Sequence, residues 1–148
     1  MSLRNWRENS WLVQHETSPQ EIGDLLRISD RDLAACQAKG LPADWRLAIA
    51  YNAGLQAATA ALAAAGYRAS RDNHHYRVIQ ALEFTVAADR KLIDIFDGFR
   101  KKRNVTNYDA AGSVSDGEAA EMLRLATRLR SEVEKWIREK RPELIKKG

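Results

Sequence analysis

"ADWRLAIAYNAGLQAATAALAAAG", running from Ala43 to Gly66, is the stretch on which the fold class turns. Alanine is the strongest helix former because it loses no side-chain entropy on ordering. The run predicts a helix from about Ala43 to Ala65, closed by Gly66. Its small side chains let other helices approach closely, as a helix inside a bundle requires. Asn52, Gln56 and Thr59 interrupt the apolar run, so it falls short of the ~18–20 apolar residues expected of a membrane span.

Helical punctuation recurs on both sides of this stretch. Upstream, Ser18, Pro19 and Glu21 form a helix start: a capping side chain, a proline with preset φ, and a glutamate three residues on. Ile22, Leu25, Leu26, Leu33 and Cys36 then mark one apolar face, and Gly40 and Pro42 in "KGLP" stop it. Downstream, "RDNHHY" predicts a short helix capped by Asp72 or Asn73, carrying Val78, Ile79 and Leu82. A fourth helix is expected from near Ala87, with Leu92, Ile93, Ile95, Phe96 and Phe99 on its apolar face. After the loop "NYDAAGSV", Ser115 and Glu118 make another capping box. The stripe Met122, Leu125, Leu129, Val133, Trp136 and Ile137 follows, and the helix can reach Lys140 before Pro142. That is roughly 26 residues and roughly 39 Å at the standard rise.

No stretch alternates with the period of a strand, so none is expected. Short connections make sequential helices antiparallel. The expectation is all-α: an up-and-down bundle of four to five helices over 18–141, after an N-terminal extension of 1–17 and before a basic tail of 142–148. The extension holds Trp6 and Trp11, fits no helix well, and is expected to pack on the bundle or on a partner.

The chain has 148 residues, 45% hydrophobic and 30% charged, a balance suited to one globular domain. A net charge of +4 permits an anionic partner without requiring one. One cysteine, Cys36, excludes an internal disulfide and reads as a small packed hydrophobe. The polar start "MSLRNWRENSW" does not resemble a signal peptide, and a cytoplasmic protein is expected.

The chemistry concentrates in "GFRKKRNVTNYD", Gly98–Asp109. With Leu92 at zero on a helical wheel, Phe96 falls at about +40° and Phe99 at about −20°. Asp94, Asp97, Lys101 and Lys102 fall on the opposite, wet half, and Lys101 and Lys102 also complement a helix C-terminus. Arg103 lands at about +20°, inside the apolar stripe. A guanidinium there must be paired, or must sit where the stripe meets a cleft or another chain. Asn107, at i+4, shares its face if the helix continues.

The segments "RLAIAYNAGLQAATAALAAAGYRA", "HHYRVIQALEFT" and "FRKKRNVTNYD", in this order, resemble the HEPN family (higher eukaryotes and prokaryotes nucleotide-binding), especially its small bacterial single-domain members. The resemblance covers roughly 19–137. It implies a four- or five-helix up-and-down bundle and a two-fold dimer formed through the helices that carry the motif. It also implies a place beside minimal nucleotidyltransferases in toxin–antitoxin-like or defence-like systems. Ribonuclease-active members end the motif helix with Arg, four to six residues, then His. Arg103 matches the arginine and Asn104 the polar residue that often follows it, but Tyr108 stands five residues on, after Asn107. The ending resembles members regarded as non-catalytic or uncharacterised. The difference has chemical weight. Histidine, with a pKa of about 6.5, exchanges protons near neutral pH, whereas tyrosine, at about 10, is a poor base.

Other constellations carry less. His74 and His75 are adjacent, with His15 the only other histidine, and no metal site with three or four converging ligands is expected. The bland role for the pair is hydrogen bonding at a helix start; a sharper one is that His75 reaches the Arg103 pocket from a neighbouring helix and supplies the missing base. No glycine-rich phosphate loop occurs, and no cofactor is expected. Trp6, Trp11, Trp45 and Trp136 read first as core or interface anchors, and second as base-stacking platforms. Tyr51 and Asn52 are expected to satisfy another helix or to line the Arg103 cleft.

Three functions follow. The first is a HEPN-type homodimer that binds RNA, a nucleotide or a nucleotidyltransferase-type partner. In it Arg103 holds phosphate, Asn104 and Asn107 shape the site, Tyr108 orients the ligand, and Lys101 and Lys102 add salt-dependent attraction. The second is a metal-independent endoribonuclease using Arg103 with Tyr108 or His75. The third is a homodimeric interaction module in which Arg103 pairs with an acid such as Asp109.

Overall fold

The computed structural model describes residues 1–105 and 114–145, with Asn104 and Val105 as backbone only. Asn107, Tyr108 and Asp109 lie outside the described residues, as do Thr106 and the last three residues of the tail.

The chain is mostly helical: α1 (Leu3–Glu8), α2 (Pro19–Ala35), α3 (Ala43–Ala64), α4 (His74–Gln80), α5 (Arg90–Val105) and α6 (Asp116–Lys140). Two three-residue strands, β1 (Leu12–Gln14) and β2 (Tyr67–Ala69), pair antiparallel, Leu12 opposite Ala69 and Val13 opposite Arg68. The expectation of no strand is therefore corrected. Three residues are too few to show period-2 alternation, and it is the turn out of α3 at Gly66, whose backbone is left-handed with φ at +98°, that delivers Tyr67 to β1.

Helix α3 is the middle of the bundle. It packs along α2 and α6 and also touches α4 and α5. Leu47, Ala50, Tyr51, Ala57, Ala61 and Leu62 are all buried, so the helix is apolar on nearly every side. It is, after all, long and apolar enough to cross a membrane, but most of that span is covered by the bundle. Its polar interruptions are absorbed by partners: Asn52 Nδ2 donates to Asp32 on α2 at 2.7 Å, and Thr59 Oγ1 donates to the Leu55 carbonyl. Gly54 permits a close approach, since a Cβ there would stand 3.1 Å from Phe96 of α5 and 3.5 Å from Met122 of α6.

The caps account for the boundaries. Ser18 Oγ accepts from Glu21 N, and Ser115 and Glu118 bond reciprocally, which satisfies the orphan amides of α2 and α6. Asn73 does precede α4, but with φ at +55° and no side-chain cap bond: it turns the backbone instead. Helix α5 starts at Arg90, not near Ala87, because Ala87 holds a positive φ of 55° that breaks the helix. Asp89 Oδ1 then caps Leu92 N at 2.8 Å.

The N-terminal extension also departs from expectation. Ser2 caps a short helix, Ser2 Oγ accepting from Asn5 N, and Trp6 from α1 is buried edge-on against Trp11 and Phe84. A helix of six residues is unstable alone; one buried indole and the β1–β2 pairing hold it. At the other end, Pro142–Leu144 forms a 3-10 turn that buries Leu144, so the tail begins by folding back onto the core.

A candidate phosphate site between α3, α4 and α5

Tyr51, on the inner face of α3, is 1% exposed. Phe96 of α5 packs edge-on against its ring at 5.5 Å. The Arg103 guanidinium lies 5.3 Å from the ring centroid, and Arg103 is half-buried. The wheel position of Arg103 thus resolves as a cation seated over an aromatic ring that the core supplies. From α4, His75 Nδ1 lies 3.3 Å from the Tyr51 hydroxyl. Three helices therefore bring a guanidinium, a phenol and an imidazole together.

Burial pushes the Tyr51 phenol up to about 12, opposed by the fields of Arg103 and Arg100. It keeps its proton at any physiological pH. Burial also moves His75 below its ordinary value, reinforced by the positive fields of Arg103, His74 and Arg100. His75 is accordingly neutral near pH 7. If the phenol donates to Nδ1, Nε2–H is a donor. If Nδ1–H donates to the phenol, Nε2 is a free base.

Asp97 corrects the wheel. It is 8% exposed, not on the wet half, on a helix that α4 packs against. Its carboxylate accepts from Arg100 Nε at 2.7 Å and lies 3.7 Å from Lys101 Nζ. Arg100 also stands 5.5 Å from the Tyr76 ring. Lys102 is likewise not a free surface charge: it is half-buried and donates to Glu118 at 2.7 Å, tying the end of α5 to the start of α6. That bond, with Ser115, holds the Glu118 carboxyl below its usual range. Lys101 is exposed.

Of the residues singled out from sequence, Arg103, His75, Lys101 and Lys102 can be placed; the side chain of Asn104, and all of Asn107 and Tyr108, cannot be described. Tyr51 is brought to Arg103, while its neighbour Asn52 turns to α2. Arg100, Asp97 and Tyr76 were not singled out for the site. The one available signal was the i, i+3 spacing of Asp97 and Arg100, which is common on any helix. His74 is exposed and contacts the Ser70 carbonyl. Among the described residues no group of three His, Cys, Asp or Glu side chains is placed to hold a metal. Cys36 is buried, its thiol pushed up by burial and donating to the Leu33 carbonyl. Trp45 is 62% exposed and is no core anchor, whereas Trp136 packs partly buried against the core.

The chain matches no protein-family model, no curated protein and no solved structure.

Proposed function

We propose that this chain is a HEPN-type helical bundle that binds RNA or a nucleotide, gripping phosphate with Arg103. The observation that carries the reading is the seat of Arg103. A guanidinium fixed over Tyr51 has lost much of its rotamer freedom already, so little more is lost when its N–H edge meets a phosphate. Lys101 and Arg100 add positive field beside it. In this reading the protein is a cytoplasmic homodimer in a toxin–antitoxin-like or defence-like system, with a nucleotidyltransferase-type protein as partner. Asn104, Asn107 and Tyr108 complete the ligand contacts.

A second reading, a metal-independent endoribonuclease, has its own supporting observation: His75 stands beside Tyr51, neutral and on a different helix from Arg103. In the tautomer that leaves Nε2 free, it is a base of the kind that the RNxxNY ending lacks.

The test is binding and cleavage of labelled RNA by wild type and Arg103→Ala, with circular dichroism to establish equal helicity. Binding without cutting, lost in the variant, supports the phosphate grip. Cutting that disappears in both Arg103→Ala and His75→Ala supports the ribonuclease. If neither protein binds, Arg103 is a dimer or core residue, and the interaction-module reading takes over.

A further inference from the structure

Arg77 of α4 is built differently from most arginines of this chain. Its guanidinium lies 3.9 Å from the Trp11 ring centroid, with Tyr76 at 5.5 Å and Trp6 at 5.6 Å. Yet its side chain makes no hydrogen bond and no ion pair among the described residues. Arg27, Arg46, Arg90, Arg128, Arg130 and Arg138, by contrast, all meet carboxylates. Seated over an indole, the Arg77 group keeps its N–H edges for an anion. Two further arginines at this corner, Arg68 on β2 and Arg71 in the turn before α4, are exposed and equally without a side-chain partner among the described residues. The β1–β2 ladder sets Arg68 opposite Val13, and Ser70 N donates to the Trp11 carbonyl, so these residues share one corner with Trp11. Asp72 is the exposed acid beside them. Tyr76, with Arg77 and Arg100 each 5.5 Å from its ring, connects this corner to the Arg103 site.

Three guanidiniums beside half-exposed aromatic rings, outnumbering the one acid Asp72 named at this corner, match the chemistry of single strands: cations follow the phosphates, and rings and guanidinium planes stack on unpaired bases. A plain acidic peptide would use the charge but not the half-exposed ring faces of Trp11 and Tyr76. We propose that the corner formed by β1, β2 and the start of α4 is a track for single-stranded nucleic acid, which enters over Arg68, Arg71 and Arg77 and passes Tyr76 toward Arg103. The track lies partly on the N-terminal extension, outside the segment that resembles the HEPN family. It rests on the phosphate reading of Arg103 only for where the strand leads.

The experiment is fluorescence anisotropy with the full chain and two labelled probes, a uridine dinucleotide and an oligouridine of about eight to twelve nucleotides, long enough to cross such a face. Arg68→Glu and Arg71→Glu change exposed side chains and leave packing alone; Arg77→Ala removes the stacked group. The expected result is that the longer probe binds more tightly. Each variant should weaken it about tenfold or more and flatten its salt dependence, while dinucleotide binding, sensitive to Arg103→Ala, stays unchanged. If all three variants hold the longer probe as wild type does, with unchanged circular dichroism, the track is refuted, while dinucleotide binding lost in Arg103→Ala keeps the Arg103 reading. If the three lose the longer probe and Arg103→Ala loses neither probe, the track stands and the Arg103 reading falls. If polyglutamate displaces the longer probe as well as unlabelled oligouridine does, the corner is an acidic-peptide face and the proposal is overturned.

Discussion

Tyr51→Phe separates the two duties assigned to Tyr51. The ring carries the weight in the core: it is 1% exposed, meets Phe96 edge-on at 5.5 Å and lies beneath Arg103 at 5.3 Å. Among the described residues the hydroxyl meets His75 Nδ1 at 3.3 Å, a long bond. Tyr51→Phe keeps the ring and should cost about 1 kcal/mol, the worth of one modest hydrogen bond, or about 2–4 °C in Tm for a chain of this size. Tyr51→Ala removes ring and platform together and should cost about 3–5 kcal/mol. The assay is urea denaturation followed by circular dichroism, with oligonucleotide binding measured on the same samples. Tyr51→Phe should bind as wild type does, because phosphate is assigned to Arg103 and the ring alone positions it. Two results would refute this reasoning. One is a loss in Tyr51→Phe as large as in Tyr51→Ala. The other is binding abolished in a Tyr51→Phe protein that is still folded.

The remaining predictions concern pH and packing. His75 should titrate below its ordinary 6.5, read from its imidazole proton resonances. Because the native pKa is depressed, the unfolded chain binds the proton first. The contribution of a neutral His75 is full above about 6.5 and fades as the pH falls through the native pKa. Stability profiles should therefore lose part of their slope in that window in His75→Gln, and unchanged profiles would argue against the buried placement. Gly54→Ala should stay within about 1 kcal/mol of wild type, the gain in helix propensity offsetting a contact in which Phe96 must give slightly. Gly54→Leu should lose about 3 kcal/mol or more through overpacking against Phe96 and Met122. Denaturation midpoints that ranked the two equal would contradict the close helix approach. Asn52→Ala should cost about 1–3 kcal/mol, since buried Asp32 then keeps, among the described residues, only the exposed Arg31 as side-chain partner; a neutral result in urea titration would show that Asp32 is reached by water.

The long helices were legible because each carries its own local evidence. The cap at Ser18, the box at Ser115, the stops at Gly40 and Gly66, and the stripe of α6 require no knowledge of neighbours. What failed was non-local. Helix α1 and the strands are too short to show a period, and they exist because Trp6 and Leu12 are buried by residues far along the chain. The start of α5 was misplaced because nothing in "VAAD" announces a left-handed Ala87.

The site shows the same division. A wheel can say that Arg103 breaks an apolar stripe, because that is a statement about one helix. It cannot say that the surface receiving the guanidinium is a tyrosine from α3, or that Asp97 of α5 is buried. Those depend on how helices are laid against one another, and here the alanines and Gly54 of α3 set that spacing. A bulkier α3 would hold α5 away, and Arg103 would lose its platform while every residue of "FRKKRN" stayed the same. The chemistry of the motif therefore rests on side chains, mostly methyl groups, that carry no chemistry of their own. For that reason the Gly54 substitutions are as direct a test of the candidate site as any change in Arg103: a folded Gly54→Leu protein with displaced Phe96 should bind oligonucleotide less well, although it alters no charged or aromatic residue.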